Sequence, residues 1–171
     1  GEWRKYTALA PLGRADASLG GSKRVGITLE ELAEIMGRDV SVGAHGLGGY
    51  FVSGDLTPEV FRDDCRFVDP TNDVTSLSRY QKALSILFDP AESKAELIAG
   101  PTIDAKERTI TAEIRSSGVL KFPWRPYIRP YETKITWVVG QDGLIEQQRQ
   151  TWSISAADAL LQTFSFGRKP K

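Results

Sequence analysis

DDCRFVDPTNDVTSLSRYQKALSILF, residues 63–88, decides the fold. Cys65, Phe67 and Asp69 alternate with Arg66 and Val68, the two-residue period of a strand. Pro70 has no N–H to give a ladder and stops it. Asn72 and Asp73 suit the turn that follows, because their short polar side chains bond nearby backbone. Leu77, Tyr80, Leu84, Leu87 and Phe88 then recur at helical steps and form one apolar stripe. The stretch therefore reads as strand, turn and amphipathic helix.

Toward the N-terminus, Thr28 and Glu31 stand in the T-x-x-E spacing of a capping box, which satisfies two free amides at a helix start. Leu29, Leu32, Ala33, Ile35, Met36 and Val40 supply that helix's buried face. Gly43, Gly46, Gly48 and Gly49 end it in a flexible connection, and Tyr50 and Phe51 begin a short apolar patch. Thr57 and Pro58 predict a brief helix through Phe61. Residues 1–26, broken by Gly13, Gly20, Gly21 and Gly26, read as an extension in which Trp3, Tyr6 and Leu9 are apolar at three-residue spacing.

Toward the C-terminus, Pro90 closes the helix and long strands follow. The first runs from Lys94 to Asp104, with Ala95, Leu97 and Ala99 on one face and a bend or bulge at Gly100–Pro101. The second spans Thr109 to Lys121, the third Tyr127 to Val139, the fourth Leu144 to Ile154. Gln141, Asp142 and Gly143 join the last two by an Asp-Gly hairpin turn. Two prolines make residues 122–126 a rigid connector. Ser155 caps a last helix carrying Ala156, Ala159, Leu160 and Phe164, and residues 167–171 form a basic tail. The expected organisation is an extension (1–26), one domain (27–166) and the tail. The expected fold is α+β: a curved antiparallel sheet wrapping N-terminal and C-terminal helices.

Composition narrows function more than it defines it. Lys plus Arg equals Asp plus Glu at 22 each, so the chain is neutral and carries no electrostatic demand for nucleic acid. One cysteine excludes an internal disulfide, and one histidine beside it makes no zinc set. No apolar run approaches the ~20 residues that a spanning helix needs. The start (Gly1, Glu2, Trp3) has no apolar core of a signal peptide, and beginning at Gly rather than Met suggests a processed chain or a cloning scar.

Three phrases carry a family resemblance: F-x-D-P at Phe67–Pro70 followed by R-Y-x-x-x-L at Arg79–Leu84, F-P-W-R-P at Phe122–Pro126, and Q-T-W-S-I-S-A at Gln150–Ala156. With the order of elements, they make residues 28–164 resemble the nuclear transport factor 2-like (SnoaL-like) superfamily. The second and third phrases are similar to its branch from plants, algae and cyanobacteria, known mostly as a domain of unknown function. The resemblance implies a cone of sheet and helices with an apolar mouth. It also implies plastid residence, in stroma or thylakoid lumen, after removal of a transit peptide. Some relatives pair through the open sheet face, which leaves a homodimer open.

Within that cone, Asp69 is the candidate catalytic group. A carboxylate in an apolar mouth would have a raised pKa and act as general base; the alternative is that it caps the turn through Asn72, Asp73 or the following amides. Phe67, Asp69, Tyr80, Trp137 and Trp152 are candidate pocket residues for a flat apolar ligand such as a pigment or tetrapyrrole, against the alternative of ordinary core filling. Trp124, held between prolines, and Arg125 are candidate partner-binding residues, with Trp3, Tyr6 and Leu9. Arg129 and Lys134 can pair with anions or simply line a solvated strand face. His45 lies among glycines that hold it poorly, and reads as a surface-loop histidine. Cys65 reads as a buried inert thiol. Asp63 and Asp64 are adjacent, point to opposite faces of a strand, and cannot chelate together.

The leading functional expectation is a non-enzymatic interaction protein, a subunit or assembly factor of a photosynthetic membrane complex. A carrier of a small apolar ligand or pigment is the second. A SnoaL-type isomerase or cyclase with Asp69 as base and Tyr80 or Trp137 near the substrate is the third. No cofactor is expected.

Overall fold

The computed structural model describes residues 22–164. The first helix, α1 (Leu29–Ser41), starts on the expected capping box: the Glu31 amide donates to Thr28 Oγ1 at 3.1 Å and the Thr28 amide to Glu31 Oε2 at 3.4 Å. It buries Leu32, Met36 and Val40 completely. After the glycine-rich loop comes a one-turn helix, α2 (Tyr50–Ser53), stopped by Gly54 in the left-handed conformation. A 3-10 turn at Pro58–Val60 replaces the brief helix expected there. Strand β1 (Phe61–Val68) buries Cys65 and Phe67, as the alternation requires. Helix α3 (Leu77–Leu87) is capped by Ser76, whose Oγ accepts the Arg79 amide at 3.3 Å. It buries Leu77, Tyr80, Ala83 and Leu84.

Asp73–Thr75 is not part of the turn. It forms a short edge strand, β2, antiparallel to β1, with Arg66 paired to Asp73 at 2.7 Å. Three residues are too few to show a period, so sequence pattern alone does not reveal such a strand.

Strands β3 (Lys94–Asp104), β4 (Thr109–Val119), β5 (Tyr127–Val139) and β6 (Ile145–Trp152) make an antiparallel meander. Gly100–Pro101 is a cis peptide, and the β3–β4 register shifts on both sides of Ala99. The sheet has six strands in the order β2-β1-β6-β5-β4-β3. One pairing departs from the antiparallel expectation: β1 runs parallel to β6. No hairpin joins these two strands. The whole of α3 and the meander lies between them, so the hairpin logic that makes neighbours antiparallel does not apply.

The core sits between the concave face of the sheet and α1, α2 and α3. Its largest fully buried side chains include Trp137, Tyr50, Phe61 and Phe67. A second cluster, of Val52, Phe88, Leu120 and Ile128, has Tyr131 packed against it. The last helix, α4 (Ala156–Phe164), does not enter the concavity as expected. It lies at the edge of β5 that β6 leaves unpaired, where Gln162 Oε1 accepts the Arg129 amide at 2.8 Å. The last residues of the expected extension are anchored: Arg24 N donates to Glu59 O and Gly26 N to Asp142 O, each at 2.9 Å. Trp3, Tyr6, Leu9 and the basic tail lie outside the described residues.

Candidate functional site

Strand register shows which side chains share the concave face. Trp137 pairs with Ile110 on one side and Gln148 on the other; Ile135 with Ala112 and Gln150; Thr133 with Ile114 and Trp152; Tyr131 with Ser116. These layers run from the base of the cup, at Trp137, to its mouth, at Tyr131.

The base is a closed polar network inside an apolar shell. Tyr50 Oη donates to Gln148 Oε1 at 2.7 Å, and Trp137 Nε1 lies 3.1 Å from Tyr50 Oη and 3.0 Å from Gln148 Oε1. Gln148 Nε2 donates to Tyr80 Oη at 2.8 Å, and Gln150 Nε2 reaches the same oxygen at 3.1 Å. Phe67 stacks on Tyr80 with ring centroids 3.8 Å apart. Burial pushes the Tyr50 and Tyr80 hydroxyls well above the ordinary tyrosine range, so both stay protonated. Phe67, Tyr80 and Trp137, expected as pocket residues, are thus the packed floor of the cup, with Trp137 0% and Phe67 and Tyr80 2% exposed.

The mouth is different. Ser116 is 2% exposed and its Oγ has no hydrogen-bond partner among the described residues. Tyr131 and Trp152 are half-buried and meet edge to face at 6.3 Å. Burial, and after it the charge of Asp69, pushes the Tyr131 hydroxyl up to about 12. Trp152 Nε1 turns to Gln150 Oε1 at 3.5 Å.

Asp69 lies beside this mouth, and its field reaches both Tyr80 and Tyr131. Its carboxylate is occupied by the turn. Oδ1 accepts from Thr71 N at 2.7 Å, Thr71 Oγ1 at 2.9 Å and Asn72 N at 2.8 Å, and Asn72 Nδ2 stands 3.3 Å from each oxygen. Burial raises its pKa, and these hydrogen bonds oppose the rise. The turn-capping alternative therefore describes the geometry, with Thr71 and Asn72 as partners. Asp73 instead pairs with Arg66.

The other candidates fall outside the cup. Trp124 is half-buried. Its indole donates to Thr163 O at 2.8 Å, and its ring stacks between Phe122 (4.9 Å) and Phe164 (6.5 Å), so it tethers α4. Arg125 pairs with Asp89 at 2.6 Å. Arg129 contacts Asp158 at 3.7 Å. Cys65 is fully buried and its thiol is pushed up by burial, which makes it inert. Asp63 contacts Lys23 at 2.8 Å and Asp64 contacts Arg62 at 3.0 Å. Among the described residues no group of three His, Cys, Asp or Glu side chains can hold a metal ion.

His45 is on the surface, as expected, but it is firmly held. Its Nδ1 lies 2.7 Å from Asp55 Oδ1, while Asp55 Oδ2 accepts the amides of His45 at 2.7 Å and Leu47 at 3.1 Å. Burial raises the Asp55 carboxyl, but the bonds from His45 and Leu47 outweigh it and set it below its ordinary 3.8. This couple faces solvent through an imidazole that is 77% exposed and does not converge on the cup.

Sequence reading missed Gln148, Gln150 and Ser116 as lining residues. Ser116 was on the buried phase of β4 and was legible as such. The glutamines were not. β6 changes phase between Ile145, opposite Val139, and Gln147, opposite Val138, so one extra residue flips the inward set.

No protein-family model matches the chain, and no curated protein sequence does. Solved structures do. An uncharacterised cystatin-fold protein from Novosphingobium aromaticivorans is 12% identical over 73% of this chain and 98% of its own, with a TM-score of 0.52. BvnE pinacolase from Penicillium brevicompactum is 14% identical over 81% and 94%, with a TM-score of 0.50. An NTF2-like protein of unknown function from an Exiguobacterium species is 13% identical over 56% and 79%, with a TM-score of 0.44. The chain is thus an α+β cup of the cystatin class. The nuclear transport factor 2-like resemblance carried by the sequence phrases is to a group of proteins with an α+β cup of this kind. Enzymes and proteins of unknown function share this fold, and identity this low speaks for the fold alone.

Proposed function

We propose that the chain is a non-catalytic binding protein that holds a small, largely apolar molecule with one polar end in the mouth of its cup. The observation that carries this reading is Ser116 Oγ, a buried hydroxyl on the concave face without a partner among the described residues. Such groups are uncommon in folded proteins and call for an explanation. A ligand oxygen or nitrogen would satisfy it. The faces of Trp152 and Tyr131 supply apolar walls for a flat skeleton. Catalysis is disfavoured because the one carboxylate at the mouth is committed to its turn, and because His45 and Asp55 face elsewhere.

The plastid setting, and attachment to a photosynthetic complex there, belong to this proposal on the strength of the F-P-W-R-P and Q-T-W-S-I-S-A phrases alone. Titration with N-phenyl-1-naphthylamine tests the binding site. The dye should gain fluorescence with the parent chain and lose that gain with Ser116→Leu, which fills the mouth. Equal enhancement by both proteins, or none by either, would falsify the reading. Native mass spectrometry of the protein drawn from its source, asking what small molecule comes with it, identifies the ligand.

A further inference from the structure

We infer that the polar end of the molecule held in the mouth is a protonated amine, paired with Asp69 Oδ2 and set against the rings of Tyr131 and Trp152. This rests on the reading of the mouth as a binding site and adds the chemical class of what enters it.

The two oxygens of Asp69 are used unequally. Oδ1 accepts the amides of Thr71 at 2.7 Å and Asn72 at 2.8 Å, and the Thr71 hydroxyl at 2.9 Å. Asn72 Nδ2 stands 3.3 Å from each oxygen, and that long contact is all that Oδ2 receives among the described residues. A carboxylate oxygen has two lone pairs, so Oδ2 keeps room for a good donor. The turn meanwhile holds the group in one place. A charge fixed in advance needs no ordering when its partner arrives.

Charge says which donor. Among the described residues, Asp69 carries the one charge that bears on the Tyr131 hydroxyl. Its field reaches Tyr80 as well. The arginines on the adjoining stretches of β4 and β5 are matched by acids: Arg115 with Glu132 at 3.0 Å and Arg129 with Asp158 at 3.7 Å. The mouth is therefore negative in a chain whose net charge is zero. A cleft lined by one sign of charge, with apolar walls, focuses that field on whatever enters. A carboxylate or phosphate end would meet repulsion there, and an ammonium is drawn in.

The walls suit the same charge. Tyr131 and Trp152 are half-buried and meet edge to face at 6.3 Å. Trp152 Nε1 is turned to Gln150 Oε1 at 3.5 Å, so what the indole offers a ligand is its ring. Aromatic faces attract a cation, Trp most of all. Ser116 Oγ, buried and unpartnered among the described residues, has lone pairs for an N–H. A primary ammonium carries three N–H donors, enough for Asp69 Oδ2 and Ser116 Oγ together. Such pairing is what lets a charged end leave water.

Isothermal titration calorimetry of the full chain with three probes of one skeleton tests this. The probes are 1-naphthylmethylamine, 1-naphthylmethanol and 1-naphthoate, at neutral pH and low salt. The amine should bind about tenfold more tightly than the alcohol, and the acid most weakly. Asp69→Asn keeps an Oδ1 for the turn and removes the charge. It should bring the amine to the level of the alcohol and change the alcohol by less than about twofold. Ranking the probes on the parent chain needs no variant, so it decides the matter even where Asp69→Asn fails to fold. An alcohol or acid that binds as tightly as the amine overturns the inference and leaves the mouth an uncharged binding site. An amine preference that survives Asp69→Asn, or that survives Ser116→Leu, overturns it too, since the amine then sits elsewhere. If the dye binds and none of the three probes does, this inference alone falls. If neither dye nor probes bind, the reading of the mouth falls with it.

Discussion

The base and the mouth of the cup share one sheet face and differ in how their polar atoms are used. At the base, Tyr50, Trp137, Gln148 and Tyr80 satisfy one another without water or ligand. At the mouth, three layers further along β4 and β5, Ser116 is equally buried and its hydroxyl has no partner among the described residues. A satisfied buried network rigidifies and specifies a core. A buried hydroxyl without a partner instead costs stability until something binds it. The contrast teaches that the polar residues of the concave face have two tasks. The base ties α2 and α3 to the sheet, and the mouth, on the reading proposed above, recognises a ligand.

The largest effects should come from the base. Trp137→Ala removes the largest fully buried side chain and a donor, and should cost about 3–5 kcal/mol in urea unfolding. Gln148→Leu keeps the volume but removes the acceptor of the Tyr50 hydroxyl and one of the two donors to Tyr80, at a cost of about 1–3 kcal/mol. Either variant unfolding at the parent midpoint breaks the claim that the base is structural. Ser116→Ala should behave in the opposite way. It removes an unsatisfied group, so stability should change by less than about 1 kcal/mol, while dye affinity at the mouth falls. A loss of stability as large as that of Gln148→Leu would show that Ser116 belongs to the framework and would erase the distinction. Cys65 offers a mild check on the base. It is fully buried, so a thiol reagent should label it only as fast as the protein opens, and faster in Trp137→Ala.

Much of the architecture was legible because local signals agreed with the tertiary outcome. The Thr28–Glu31 box marked the start of α1, and period-two alternation gave the bounds of β3 and β5. What was not legible depended on long-range or single-residue geometry. The parallel pairing of β1 with β6 joins strands that have β2, α3, β3, β4 and β5 between them in the sequence. The bulge that turns Gln148 inward adds one residue, and alternation has no way to announce it. The glycines around His45 were read as looseness. In fact a Cβ at Gly43, whose φ is +87°, would collide with the Asp55 carboxylate and the Gly48 carbonyl, so the glycine permits a close clasp. Trp124 looked like an exposed anchor because its partner, the Thr163 carbonyl, arrives 39 residues later.

The smallest expected effect is in pH dependence, and it separates the carboxylate at the mouth from the one outside the cup. Asp69 has a folded pKa raised above 3.8 by burial, so the native state holds its proton more tightly than the unfolded chain. Its contribution therefore falls as pH rises from 3.8 through the folded value, and is a constant small penalty above it. Asp55 has the opposite sign. Its folded pKa lies below 3.8, so the stability it gives is complete above 3.8 and is lost as pH drops through the folded value. Asp69→Asn should thus flatten the decline above pH 3.8 and leave the acid limb untouched, whereas Asp55→Asn should remove part of the acid limb alone. Urea midpoints measured across this range distinguish the two. If Asp69→Asn also steepened the loss of stability toward neutral pH, the turn would need the charge that burial opposes. The carboxylate would then be a structural requirement of the mouth and not a tolerated cost.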